Sequence, residues 1–141
     1  MARSSRQERQ VRQVPPQRLI LDSGAVISLS RGEKRPRALL RRALDLGMDI
    51  RIPVAVLSET LRGGARDAPI HRVRNAVEVF PTDERTGRLA GSLLGGTGGT
   101  NTVDALVAAE AVAFQADVLT ADADDMRALL AKHHGVKVIP L

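Results

Sequence analysis

Residues 18–22 read Arg-Leu-Ile-Leu-Asp, a short aliphatic run that ends at an acid. A run of about four to eight apolar residues bounded by turn-forming residues is typical of a buried β-strand. A similar pattern recurs at residues 117–122, where Asp-Val-Leu-Thr-Ala-Asp again brings an acid just after apolar residues. We therefore predict two buried strands, each followed closely by a carboxylate.

Segments with helical spacing alternate with these strands and with further short apolar runs. The predicted strands are 18–21, 50–52, 77–80, 117–120 and 136–139, and the predicted helices are 25–32, 36–47, 53–62, 67–76, 83–94, 102–115 and 123–133, with a glycine loop at 95–99. This alternation predicts an α/β fold, a three-layer sandwich whose central, mainly parallel sheet of about four or five strands is flanked by helices. Ligands of such sheets bind at the carboxyl ends of the strands, which is where Asp22 and Asp122 stand.

The chain of 141 residues, 43% of them hydrophobic, suits one domain, which we predict at residues 18–141. Residues 1–17 are polar and have no apolar periodicity, so we expect a flexible basic arm there. Residues 1–42 hold eleven Lys or Arg and three acids, a net charge of +8. Such a segment attracts RNA through counterion release, although a solvated tail explains the same composition.

Missing residue types exclude several kinds of site. The chain has no cysteine, so disulfides and thiolate metal sites are impossible. Its only aromatic residues are Phe80 and Phe114, which argues against base stacking as the main grip on nucleic acid. No apolar run approaches the roughly 18–20 residues that span a bilayer, and the N-terminus lacks the apolar segment of a secretion signal. We expect a cytoplasmic protein without membrane attachment.

Four acids stand where local structure does not obviously need one: Asp22, Glu59, Asp104 and Asp122. Carboxylates that converge on one spot repel each other and are costly to desolvate. A bound Mg²⁺ or Mn²⁺ removes that conflict, because these ions prefer oxygen ligands. Such ions also activate water for phosphodiester cleavage.

Each acid alone has a simpler explanation. Asp22 can form a turn or cap a helix. Glu59 can pair with Arg62 on a solvated helix face. Asp104 and Asp122 lie near helix N-termini, where the helix dipole favours a carboxylate. Only their joint placement points to a metal site.

Four segments resemble, in the same order, the acid-bearing segments of PIN domains. They are residues 19–23 (LILDS), 52–63 (IPVAVLSETLRG), 102–109 (TVDALVAA) and 118–125 (VLTADADD). Each motif alone is weakly specific, but four in order across nearly all of the predicted domain are fairly specific. The chain looks most like the VapC toxins of that family.

The resemblance implies a PIN fold and a site built around Mg²⁺ or Mn²⁺. The implied catalytic acids are Asp22, Glu59, Asp104 and Asp122; the implied metal ligands are Asp22, Asp104, Asp122 and Asp125, the last preferred over Asp124; Ser23 and Thr120 are the implied supporting residues. It also implies a toxin that cleaves RNA as an endoribonuclease, forms a homodimer and is blocked by a cognate antitoxin. The basic arm at 1–17 departs from the family pattern.

Two other functions each fit part of this sequence. A catalytically silent RNA-binding module on the same fold is compatible with the basic arm, although it would gain from losing the acids. A receiver or phosphatase-like protein could use Asp22 as a nucleophile. However, haloacid-dehalogenase-type phosphatases would have a second Asp at the position of Gly24, receivers would have an acid pair before the nucleophile strand, and neither class explains Glu59.

Overall fold

The structure, a computed structural model, describes residues 17–99 and 101–141. Five strands and seven α-helices follow one another in these ranges, and one 3-10 turn, Ala65–Asp67, precedes the fourth helix. The order is β1 (Arg18–Leu21), α1 (Ser23–Ser30), α2 (Lys34–Asp45), β2 (Asp49–Pro53), α3 (Val54–Thr60), α4 (Ala68–Ala76), β3 (Glu78–Phe80), α5 (Glu84–Thr97), α6 (Thr102–Phe114), β4 (Asp117–Thr120), α7 (Ala123–Leu129) and β5 (Val138–Pro140). The predicted arm lies outside the described residues except for Gln17.

The five strands form one sheet in the order β3-β2-β1-β4-β5, and all four neighbouring pairs are parallel. Parallel neighbours require crossover connections, which are almost always right-handed. This handedness places α1–α4, which lead towards β3, on one face of the sheet and α5–α7 on the other. The predicted three-layer α/β sandwich with a parallel central sheet is confirmed.

The strand order reverses between β1 and β4, the two central neighbours. The chain leaves β1 towards β2 but leaves β4 towards β5, so the helices that follow these strands separate to opposite faces. A crevice forms at such a switch point, at the carboxyl ends of the strands. The backbone N–H of Asp22 donates to the carbonyl of Leu119 at 3.2 Å, which ties the end of β1 to β4 at this crevice.

The core is aliphatic, as the composition predicts. Strand residues such as Ile20, Leu21 and Val118 are buried completely or almost completely. On α6 the buried residues are mostly alanines, including Ala105 and Ala108, whose small side chains let the helix lie close to the sheet. The helix that begins at the crevice is therefore held firmly in place.

The predicted glycine loop at 95–99 is wrong, because α5 continues through Thr97 and ends at Gly98 with a φ of +67°. A glycine inside a helix costs only about 1 kcal/mol relative to alanine. Packing of the buried Leu93 and the partly buried Leu94 against the core offsets that cost.

The helix predicted to reach about residue 133 is also wrong in its length, because α7 ends at Leu129. Leu129 and Leu130 are both buried, and a turn in which His133 N–H donates to the Leu130 carbonyl at 2.8 Å follows them. Leaving the helix lets both neighbouring leucines face the core. The other predicted elements differ from the structure by at most two residues at either end. In the described part of the chain no helix combines the length and apolarity needed to cross a membrane.

Candidate metal centre

Asp22 directly follows β1 and caps α1. Its Oδ1 accepts a hydrogen bond from the Ala25 N–H at 2.8 Å, and the residue is only 4% exposed. Burial raises the pKa of Asp22, while hydrogen bonds from the Thr120 hydroxyl and from the backbone of Ala25 and Ala121 act in the opposite direction. The capping role is therefore real, but it does not exclude a metal role, since a carboxylate has two oxygens.

Glu59, on α3, points towards the start of α1. The Ser23 hydroxyl donates to Glu59 Oε1 at 2.5 Å. The alternative pairing with Arg62 is wrong, because the Arg62 guanidinium donates instead to the carbonyls of Ser58 and Leu61, at 3.0 and 2.9 Å. Glu59 is thus held next to the residue that follows the first acid, rather than on a solvated face.

Asp104, Asp122 and Asp125 form the tightest group of acids. One carboxylate oxygen from each lies within 4.8 Å of the others. Ligands of one ion sit about 2.0–2.6 Å from it, so two ligands lie at most about 4–5 Å apart. The spacing therefore fits a single hard cation. Asp124 is not in this group, and its Oδ1 lies 3.7 Å from Arg127 Nη1.

Asp104 experiences the charge of every other acid in the predicted set. Burial, followed by the negative charges of Asp22, Glu59, Asp122 and Asp125, raises its pKa to about 6. Such a shift requires the four carboxylates to be close enough for their repulsion to be felt. The structure thus brings the predicted acids into one electrostatic neighbourhood, although Asp22 and Glu59 lie outside the tight group of three.

Thr120, the last residue of β4, links two of the acids. Its Oγ1 accepts a hydrogen bond from the Asp122 N–H at 2.9 Å, and its buried hydroxyl also interacts with the Asp22 carboxylate. A hydrogen bond with Asp122 and the charge of that residue raise the pKa of Asp125. The loops after β1 and β4 are therefore joined through side chains as well as through the sheet.

Gly24 is a site residue that sequence reasoning missed. A Cβ atom at this position would lie 2.4 Å from the Cβ of Ala121, which is far inside normal contact distance. No local sequence signal marks this role, because the contact is with Ala121 in the loop after β4, far away in the sequence. Its absent side chain lets the loops that carry Asp22 and Asp122 meet.

We predict that Gly24→Ala lowers the free energy of unfolding by about 1–3 kcal/mol, the cost of overpacking. It should also weaken Mn²⁺ binding, because the two loops must move apart. Ala121→Gly in the same chain removes the opposing Cβ and should restore most of both quantities, whereas Ala121→Gly alone should have a small effect. Urea unfolding in EDTA and calorimetric Mn²⁺ titration measure them. Equal losses in the single and double variants would contradict this account.

Residues 19–132 match the family model of the PIN domain. No curated protein matches the sequence significantly. Among solved structures, VapBC2 from Rickettsia felis bound to a promoter DNA fragment is 14% identical, with 88% of this chain and 98% of that chain covered and a TM-score of 0.70. A toxin–antitoxin complex from Klebsiella pneumoniae is 17% identical, with 84% and 94% covered and a TM-score of 0.66. DNA-bound VapBC from Salmonella typhimurium is 16% identical, with 88% and 98% covered and a TM-score of 0.65.

At these identities the solved structures show a shared fold and no more. The family match is of a different kind, because it covers most of the chain, from β1 to the residues after α7, and includes every acid of the candidate centre. The resemblance seen in the four acid-bearing segments is therefore confirmed, and the chain belongs to the PIN domain family.

Proposed function

We propose that this protein is a divalent-metal-dependent endoribonuclease that acts as the toxin of a toxin–antitoxin pair. The observation that carries the proposal is the group formed by Asp104, Asp122 and Asp125, with carboxylate oxygens within 4.8 Å of one another at the switch point of the sheet. Acids gathered in this way destabilise the fold unless a cation joins them, so a structural role alone does not explain them.

Asp104, Asp122 and Asp125 would hold Mg²⁺ or Mn²⁺, with Asp22 as a further ligand at the buried edge of the group. When bound, such an ion lowers the pKa of water and offsets the charge that develops on a cleaved phosphodiester. Glu59 is the remaining acid. Its Oε1 is engaged by the Ser23 hydroxyl, which leaves Oε2 as the atom that can accept a proton from water.

The structural neighbours support an antitoxin partner, and the resemblance to VapC toxins implies an RNA substrate. The neighbours include complexes described as toxin–antitoxin assemblies and as VapBC bound to DNA. We propose that this chain likewise binds a cognate antitoxin, and that it acts on RNA in the cytoplasm. A silent RNA-binding module is the weaker candidate, because five acids in one neighbourhood repel the phosphate backbone.

A homodimer would use the predicted surface on the helices at 36–47 and 53–62. Among the residues that the structure describes, the large apolar side chains that are exposed are Leu44, Leu46 and Val54, and all three lie on or beside these helices. Apolar side chains left exposed in this way are common at subunit interfaces. Their position supports the proposal that α2 and α3 meet a second copy.

The proposal is tested with purified protein, freed of any partner, and a structured RNA in Mg²⁺, Mn²⁺ or excess EDTA. We expect discrete fragments in either metal and intact RNA in EDTA, because the acids need the cation to bind the phosphate. Fragments that form equally in EDTA would rule out the metal mechanism. Intact RNA in every condition, together with retained RNA binding, would favour the silent module.

A further inference from the structure

A pocket of about 300 Å³ opens beside the acid cluster, where α5, α6 and α7 meet. Two of its lining residues, Asp104 and Asp125, are also members of the candidate metal centre. Its remaining lining residues are Leu94, Thr97, Gly99, Asn101, Ala128 and Leu129. None of these has a role in the proposed cleavage chemistry. A molecule bound in the pocket would lie directly beside the metal.

The size and lining of the pocket fit a small, partly apolar ligand. Its volume is at the lower end of the roughly 300–1,000 Å³ of small-molecule sites, which leaves room for one ring system. Leu94, Ala128 and Leu129 supply apolar walls. Asn101 supplies a polar edge: its Oδ1 caps α6 by accepting the Asp104 N–H at 3.0 Å, and its Nδ2 group is a donor.

The acids in the pocket wall favour a neutral occupant over an anion, whose charge is better placed beside the metal. Asp104 and Asp125 form part of its wall and would repel a phosphate placed inside it. A nucleobase is neutral, has two apolar faces and carries hydrogen-bonding groups on its edge, so it matches the lining. The phosphate attached to the same nucleotide would remain outside, next to the metal.

We infer that this pocket binds one unstacked nucleobase of the RNA strand beside the scissile phosphate, and that Asn101 selects among the four bases. The inference rests on the proposed nuclease function and gives it a source of sequence preference. Single-stranded RNA is generally read in this way, by bases that leave the stack and present their edges to protein groups. Aliphatic walls replace the usual aromatic platform, since the lining contains no aromatic ring.

The first experiment measures binding without cleavage. Methyl NMR spectra of the full-length, Mg²⁺-loaded protein are recorded with each ribonucleoside 5′-monophosphate and, as the control without a base, with ribose 5-phosphate. We expect the methyl signals of Leu94, Ala128 and Leu129 to shift with at least one nucleotide and not with ribose 5-phosphate. Shifts that are the same without a base, or no shifts at these methyls, would overturn the inference.

The second experiment measures selectivity. Ala128→Phe fills the pocket from an exposed position, and Ala131→Phe is the matched change outside it. We expect Ala128→Phe to lower kcat/KM on short oligoribonucleotides by about tenfold or more with unchanged Mn²⁺ affinity, and Ala131→Phe to behave as wild type. Asn101→Ser keeps a good helix cap but loses the amide donor, so it should change the ranking of bases next to the cut.

The inference would be overturned, even where the nuclease function holds, if Ala128→Phe cleaved RNA at the wild-type rate and Asn101→Ser kept the wild-type ranking of bases next to the cut. If wild type cleaves no RNA but the methyl shifts depend on the base, the nuclease proposal fails and the base site stands. These outcomes separate failure of the base-binding inference from failure of the nuclease proposal.

Discussion

Replacing Asp104 by asparagine is expected to lower the rate of RNA cleavage by about 10²–10³-fold, the scale seen when one preorganised electrostatic group is removed from an active site. Asparagine keeps the shape of the side chain but loses the charge that the cation needs. The negative charges of the four other acids all raise the pKa of Asp104, so its charge is coupled to that of the whole site. Single-turnover cleavage of a labelled RNA at saturating Mg²⁺ measures the effect.

The effect of the same variant on the free energy of unfolding should depend on whether metal is present. Because burial and neighbouring acids raise the pKa of Asp104 from 3.8 to about 6, its ionisation lowers the stability of the metal-free protein as the pH rises through that window, and the full loss is present above pH 6. In EDTA at pH 7.5, Asp104→Asn should therefore raise the free energy of unfolding by about 1–2 kcal/mol. In Mg²⁺ this advantage should shrink or reverse, because wild type gains more from binding the ion.

Asp125 and Asp124 provide a matched pair of controls. They are adjacent in the first turn of α7 and both are exposed, yet only Asp125 belongs to the tight group. Asp125→Asn should weaken Mn²⁺ binding by about tenfold or more, whereas Asp124→Asn should leave it unchanged. The proposed centre would be contradicted if the Asp104→Asn variant of the first prediction cleaved RNA and bound Mn²⁺ as the wild-type protein does. Equal effects at 124 and 125 would show that charge near the site, rather than ligation, matters.

The sequence predicts those parts of the fold and the site that depend on local pattern. Short apolar runs ending in acids predict parallel strands whose carboxyl ends share one edge, and this alone brings Asp22 and Asp122 together. Asp104 could be predicted beside them only through the family resemblance. The position of Asp104 at the start of a helix follows from the local sequence. The packing of α6 across the sheet does not, because it depends on residues that are far apart in the chain.

Features that depend on long-range packing were not predictable. The contact between Ser23 and Glu59 joins residues 36 positions apart, so helix periodicity placed Glu59 on a solvated face instead. The close approach at Gly24 depends on Ala121, which lies in the loop after β4 and is distant in sequence. The extension of α5 through the glycines of residues 95–97 depends on burial of its leucines, which local propensity does not describe.

Glu110 is a further buried acid that sequence reasoning passed over. It lies on α6, is 8% exposed, and among residues 17–99 and 101–141 its Oε2 has no hydrogen-bond partner. The nearby Arg51 is shared with other groups: its Nη2 lies 3.2 Å from Asp49, and its guanidinium carbon lies 3.5 and 3.3 Å from the ring centroids of Phe80 and Phe114. Arg51 therefore compensates the Glu110 charge only in part.

Burial raises the pKa of Glu110 to about 7, with Arg51 opposing the shift and Asp83 adding to it. Between pH 4.5, the ordinary value, and 7, the folded state therefore binds more protons at this group than the unfolded state does. Stability falls as the pH rises through that window, since the folded state must then bury a charge. The ionised carboxylate of Glu110 is thus a destabilising group at and above neutral pH.

Glu110→Gln is accordingly expected to raise the free energy of unfolding by about 1–3 kcal/mol at pH 8 and to change it little at pH 5. Urea unfolding of both proteins in EDTA at the two pH values measures the difference, and subtraction removes the contributions of the other titrating groups. Glu84→Gln is the control, because Glu84 is exposed and forms only a surface ion pair with Arg88 at 3.1 Å. A gain of the same size at pH 5 and pH 8 would mean that packing, rather than the buried charge, separates the variant from wild type.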